Sequence, residues 1–259
     1  MLASSLSYAP GGKGGNQAVA AVRAGASVQL VAALGDDAAA GSLRAHLRDN
    51  GVGLDGAVTV PGPSGAAVIV VDAGAENTIV VAPGANAHLS MTSPHVQAVV
   101  AHAEVVLIQL EIPLETALAA ARVAREAGAT VIVNASPTRA ASDDLEALSL
   151  ASDVVVVNED EAREWHWPVT HLVITRGARG ANYVHDGTTV DVPAPAVEPV
   201  DTTGAGDVFA GVLAAGWLSG PEVALRRACA AGALATLTAG AGDCAPTVEA
   251  IDDVLNATD

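Results

Sequence analysis

From Glu104 onward the apolar positions fall into runs that alternate between strand and helix. "EVVLIQLE" reads as a strand, "LETALAAARVAREAG" as a helix ending at Gly128, and "TVIVNAS" as the next strand. "SDDLEAL" predicts a short helix with Ser142 as its N-cap, and "DVVVVNE" a strand apolar at every position. Runs without polar interruption suit strands covered by helices on both faces, which makes the chain an α/β protein with a mainly parallel sheet. "HLVITRG" extends the series. "ANYVHDG" and "TTVDVPA" predict an antiparallel continuation through the Asp186-Gly187 turn.

The N-terminal part follows a different order. "NQAVAAVRAG" predicts a helix, "SVQLVAALG" a strand and "AAGSLRAHLRDNG" a second helix. "GAAVIVVD" and "NTIVVAP" predict a hairpin or ribbon joined by a loop at Ala73 to Glu76, and a small sheet inserted in this way often serves as a lid. Two Ala-rich helices, the loop "TAGAGDCAPT" and a terminal helix complete the chain. Between "DVVVV" and "HLVIT" lie only the 13 residues Asn158 to Thr170, close to the minimum for a parallel crossover.

Composition narrows the class. The 259 residues suffice for one large domain; 51% are hydrophobic but only 2% aromatic, so the core must be close-packed Ala, Val, Leu and Ile. A net charge of -17 repels nucleic acid and anionic membranes, so neither is expected as a partner. Any phosphate must then be held by local devices. Two cysteines, Cys229 and Cys244, without a CxxC motif fit a reducing cytoplasm rather than a disulfide scaffold or zinc site. His166 and His171 lack matching ligands for a metal pair. There is no basic, apolar-cored leader and no apolar run of about 20 residues, so a cytoplasmic location is expected.

The chemistry concentrates in glycine-rich stretches. "VDTTGAGDVFAG" opens an apolar helix that Thr202 or Thr203 can cap. The backbone N–H groups of Gly204, Ala205 and Gly206 then form an anion hole at the positive end of the helix dipole. Asp207 in the first turn is suited to take a proton from an attacking hydroxyl, or is simply an acidic first-turn residue. Asp201 is a turn residue or a cation ligand. "GGKGGN" is not a phosphate-binding P-loop, since Gly follows Lys13; Lys13 and Asn16 are candidate donors to hydroxyls, or the loop is merely a tight turn. At the end of a parallel strand, Asn158 can reach a nucleotide and Glu161 can order water around Mg²⁺, unless "NEDE" is only a solvated helix start. "TRGARG" can hold a nucleotide through its backbone and Thr175.

In order and nearly end to end, these segments resemble the ribokinase-like carbohydrate kinases, the PfkB family. "GGKGGNQAVAAVRAGASVQLVAALGDD" is similar to its N-terminal signature and "VDTTGAGDVFAGVL" to its C-terminal one. "APGANAHLS", "QLEIPLE" and "NEDEA" look most like the ribokinase branch. The resemblance implies a three-layer α/β fold over residues 1–259, with lid strands within about 1–10 and 56–84. It implies Asp207 as catalytic base beside the Gly204, Ala205 and Gly206 anion hole, with transfer from ATP to a pentose, D-ribose at its 5-hydroxyl. Gly12, Lys13, Asn16 and Glu111 match sugar contacts. Asn158, Thr175, Gly177, Gly180, Gly206 and Cys229 match nucleotide positions, and Glu161 the acidic residue associated with Mg²⁺. The ligands of an activating K⁺ would correspond to Asp201, Thr203, Ala235, Thr238, Gly240 and Cys244. A homodimer through the lid is a further implication.

The chain also departs from that pattern. Family members carry a central strand, an aspartate-bearing sugar segment and a lid strand ahead of the region matched by "YAPGGKGG". An interior strand buries on the order of 10 kcal/mol of apolar side chains, so Met1 is expected to be an internal start in a longer reading frame. The 259-residue chain is expected to be weakly active or inactive. A kinase for another sugar or a nucleoside, and a degenerate protein that binds sugar or nucleotide without turnover, remain alternatives.

Overall fold

In a computed structural model, which describes residues 6–71, 77–137 and 142–258, the chain runs through α1 (Lys13–Arg23), β1 (Ala32–Leu34), α2 (Ala38–Asp49) and β2 (Ala57–Thr59). The hairpin of β3 (Ala66–Val71) and β4 (Asn77–Ala82) precedes α3 (Pro94–Ala101). Strands and helices then alternate: β5 (Val105–Gln109), α4 (Leu114–Glu126), β6 (Thr130–Asn134), α5 (Asp143–Leu150), β7 (Val154–Asn158), α6 (Glu159–Glu164) and β8 (His171–Thr175). β9 (Ala181–His185) and β10 (Thr188–Val192) lead to α7 (Ala205–Gly216), α8 (Pro221–Ala235) and α9 (Val248–Thr258).

Among the described residues the main sheet has six strands, in the order β10-β9-β8-β7-β6-β5. β5 to β8 are parallel, while β9 and β10 return antiparallel. The return is made at Asp186 and Gly187, with φ of 48° and 72°, the left-handed pair that a two-residue hairpin turn requires.

The uninterrupted valine runs are explained by what covers them. Val131, Val133, Val155 and Val157 face a layer built from α3, α4 and α5. Ile132, Val154 and Val156 face the opposite layer, where Phe209, Leu213 and Trp217 pack with Leu225 of α8. Both faces of the sheet are therefore dry, as parallel strands require. A third cluster joins α1 to α7, α8 and α9 through Val19, Val212, Ala230 and Ile251. Its small side chains let these helices approach closely.

Some elements differ from the sequence pattern. The strand expected over "SVQLVAALG" is reduced to Ala32–Leu34, with one further bridge at Gln29 and Gly53. Among the described residues its only strand partner is the equally short β2, in a separate two-stranded sheet. The described part of residues 6–10 carries no strand, and residues 1–5 and the loop Ala73 to Glu76 lie outside the described residues. The lid hairpin is two-stranded, with Val68 facing Val80 and Ala67 facing Val81 across it.

The short crossover also has a physical account. α6 spans six residues, and its Asn158 and Glu161 form a capping box that satisfies the first N–H groups. Beyond it Trp165 and Trp167 meet edge to face, with ring centroids 5.1 Å apart, and pack on the α4 and α5 side of the core. Two indoles do the covering that a longer helix otherwise provides.

Candidate active site

The site is built where α1 crosses α7. Gly211 makes the crossing possible: a Cβ there would lie 2.3 Å from the Gln17 carbonyl oxygen and 2.9 Å from the Ala20 Cβ. At this distance the α1 side chains reach Asp207, which is 8% exposed. Asn16 donates from Nδ2 to Asp207 Oδ2 at 2.9 Å, and Gln17 donates from Nε2 to Oδ1 at 3.1 Å. Burial pushes the Asp207 carboxyl above the usual range, against the opposing pull of Lys13 and these two amides. A carboxylate raised in this way is a better base than an exposed one.

α7 begins differently from the sequence expectation. Neither Thr202 nor Thr203 caps it; the N-cap is Gly204, at φ 84° and with no side-chain hydrogen bond. A Cβ at Gly204 would lie 2.8 Å from the Ala241 Cα and 3.1 Å from the Cys244 sulfur, so the turn needs glycine on two counts. Ala205 also departs from the expected anion hole, because its N–H turns back to the Thr202 carbonyl at 3.3 Å. The next first-turn N–H groups, of Gly206 and Asp207, have no carbonyl four residues back within the helix. Gly204, Gly206 and Asp207 border a cleft of about 540 Å³, open to solvent.

The other walls of this cleft come from the C-terminal ends of parallel strands, where open sheets place ligands. Asn134 ends β6 and Ser136 follows it, Asn158 ends β7 and Glu161 follows it, Thr175 ends β8, and Lys13 enters from α1. Asn158 and Thr175 are paired in register, so their side chains reach the same level. Gln17, Asn134 and Ser136 were absent from the sequence-based candidates. Asn134 carried a usable signal: it is the polar end of the apolar run "TVIVN", at the end of a parallel strand where open sheets bind ligands.

Residues 1–248 match the family described as pfkB family carbohydrate kinase. The chain belongs to the pfkB family. Ribokinase of Bacillus subtilis (strain 168) is 33% identical over 269 residues, covering 99% of this chain and 91% of that protein. The bifunctional ribokinase/ribose-5-phosphate isomerase A of Fructilactobacillus sanfranciscensis is 32% identical over 95% of this chain, which spans about half (49%) of that protein's length. Arabidopsis thaliana ribokinase, solved in complex with ribose and ATP, aligns with a TM-score of 0.88 at 28% identity over 95% of this chain and 87% of that one. The α/β, three-layer arrangement is thus the ribokinase-like fold. No helix among the described residues is long and apolar enough to cross a membrane.

Other pfkB-derived candidates fall in different places. The Glu111 carboxyl is raised by burial, lowered by Lys13 and raised again by Asp207, which puts all three in one electrostatic group. Gly12, at φ 95°, is the N-cap of α1. Gly177 and Gly180 lie outside the described cleft lining; a Cβ at Gly180 would meet the Val192 carbonyl at 2.0 Å, so this glycine serves the β8-β9 connection. Cys229 is also outside the cleft: it is 3% exposed, and its thiol donates to the Val192 carbonyl at 3.6 Å. Its neighbours in the α7-α8 layer close over it, which no local pattern reveals.

The cation candidates separate into two groups. Glu161, buried on the cleft wall, accepts the Asn158 N–H on Oε2 at 2.8 Å and keeps further acceptor capacity. This hard oxygen donor fits Mg²⁺. Behind the first turn of α7, Asp201 accepts from Thr203 N and Gly240 N, both at 2.9 Å, which brings the two loops together. The Thr238 N–H donates to the Ala235 carbonyl at 3.3 Å, which takes up acceptor capacity there. Oxygen donors at Asp201, Thr203 and Gly240 fit an alkali cation. The Cys244 thiol does not: it is soft, raised by burial, and faces the carbonyls of Ala241 at 3.4 Å and Thr203 at 3.9 Å as a donor.

Proposed function

We propose that this chain transfers the γ-phosphoryl group of ATP to the 5-hydroxyl of D-ribose. The observation that carries the proposal is the buried Asp207 carboxylate beside the open first turn of α7, at the edge of the cleft that Lys13, Asn158 and Thr175 also line. Asp207 takes the proton of the attacking hydroxyl. The N–H groups of Gly206 and Asp207, with the helix dipole behind them, stabilise the charge that develops on the transferring group. Lys13, Asn16 and Glu111, with the Gly12 turn, orient the sugar. Asn158 and Thr175 face the nucleotide half of the cleft. Similarity to ribokinases along almost the whole chain supports ribose over other sugars.

Glu161 would hold Mg²⁺, which neutralises phosphate charge when bound, and Asp201, Thr203 and Gly240 would hold K⁺ behind the α7 turn. The apolar positions Val68, Val80 and Val81 on the lid are exposed, which favours a second copy of the chain across this sheet. Light scattering should then give a dimer mass that Val81→Asp lowers to the monomer; a wild-type monomer refutes the lid dimer.

The kinase proposal is tested by ATP-dependent phosphorylation of ribose, fructose, adenosine and 2-keto-3-deoxygluconate, with and without K⁺. Ribose turnover, even slow, is the expected result and Asp207→Asn should remove it. Turnover of another acceptor alone refutes ribose, and no turnover of any acceptor refutes the kinase proposal for this chain.

A further inference from the structure

Gln17 stands next to Asn16 in the sequence, but the proposed transfer gives its side chain no role of its own. It is 3% exposed, and its Nε2 donates to Asp207 Oδ1 at 3.1 Å. Its own backbone lies against Gly211, where even a methyl group would meet the Gln17 carbonyl at 2.3 Å. The α1-α7 crossing therefore leaves the glutamine little room to move away. Asn16 occupies the other carboxylate oxygen at 2.9 Å. Asp207 is thus held from both sides by uncharged amide donors, one of them walled in by helix packing.

We infer that Gln17 is a positioning residue for the transfer reaction, fixing the Asp207 carboxylate in its rotamer and in its charged form. The inference rests on Asp207 being the base. Burial disfavours the ionised carboxylate, and Lys13, Asn16 and Gln17 oppose it. An amide stabilises the charge without a formal positive charge that would hold the proton acceptor too tightly. Removing the Gln17 donor leaves Oδ1 buried and unpaired, so the proton should bind more readily and the carboxylate should lose its orientation. A glutamine kept only to fill space between the helices would have neither effect.

The test has two readouts. In protein labelled with ¹³C at aspartate carboxyl carbons, the Asp207 signal is assigned by its absence in Asp207→Asn. Its midpoint should rise by about one pH unit or more in Gln17→Met, because a hydrogen bond to a charged group is lost. In kinase assays the acid limb of kcat should move to higher pH by the same amount, with KM for sugar and ATP little changed. Gln17→Glu, of the same size, keeps the test usable if the methionine variant does not fold. There two adjacent carboxylates would share a proton and raise the midpoint further. An unchanged Asp207 midpoint in the folded variant overturns the inference, whatever the wild-type activity. A shifted midpoint in a protein that phosphorylates nothing leaves Gln17 as the holder of the carboxylate and removes the kinase proposal instead.

Discussion

Asp201 and Gly240, 39 positions apart, are joined by a 2.9 Å hydrogen bond from the Gly240 N–H to the Asp201 carboxylate. The same carboxylate accepts the Thr203 N–H, and the backbone N–H groups of Val200 and Asp201 both donate to the Thr236 carbonyl. This set of bonds fixes the turn that aims α7 at the cleft. Hydrogen bonds from Thr203 and Gly240 hold the Asp201 carboxyl below its ordinary range. A depressed folded value adds stability above the unfolded value, and that stability is lost as pH falls through the folded one. Asp201→Ala should therefore cost about 1 kcal/mol at neutral pH, since solvent can replace part of these bonds. In urea titrations the deficit should shrink as the pH is lowered below the carboxylate range, and a deficit independent of pH would contradict this account.

Asp207 has the opposite sign. Its folded value is raised, so its protonated form favours folding and that contribution is lost as pH rises through the folded value. At neutral pH the charge is a burden on the fold. Asp207→Asn should melt at higher temperature than wild type at pH 7, since the amides of Asn16 and Gln17 can rotate to accept from the new one. Its turnover should fall by about 100- to 10,000-fold while ATP still binds. Calorimetry for both melting and ATP titration checks this; a lower melting temperature at pH 7 would count against the buried-charge explanation.

Two glycines in helices should respond in opposite directions to alanine. Gly211→Ala forces α1 away from α7 and should cost about 1–3 kcal/mol, with a loss of kcat as Asn16 and Gln17 leave Asp207. A Cβ at Gly41 in α2 would meet nothing within 4 Å, so Gly41→Ala should gain about 0.5–1 kcal/mol. Urea midpoints of the two variants measure the difference. A neutral Gly211→Ala would mean that the crossing is looser than its contacts require.

Both thiols should be silent in the native protein. Cys229 and Cys244 are 3% and 4% exposed, and burial pushes the Cys229 thiol up to about 12. A charged disulfide reagent at pH 8 should label neither until denaturant is added, and then both. Prompt labelling of Cys229 in the folded state would return it to the nucleotide side of the cleft.

The parallel sheet was legible because dry strands must be apolar at every position, as in "DVVVVNE", and helices must cap and stop, as at Ser142 and Gly128. Local chemistry also marked the hairpin turn at Asp186 and Gly187 and the glycine-rich opening of α7. Less legible was how α7 begins. Threonine before a helix is a sound cap signal, but the close approach of Ala241 and Cys244 demands a left-handed glycine instead. Cys229 illustrates the same limit: its surroundings depend on α7 and α8 lying across the sheet, which no neighbouring residue encodes.

The amino-acid sequence by itself determined the alternation of strands and helices, the acidic, aromatic-poor composition, and the family signatures around Asn16 and Asp207, because each is written in short-range order. Only the tertiary structure decided that Gln17 is bonded to Asp207, that Asp201 ties the two loops behind α7, and that Trp165 and Trp167 cover the gap beside a six-residue helix. These depend on the distance between helix axes and on which side chains share a dry interface. Contacts across 190 residues of chain follow from packing, which sequence spacing does not measure.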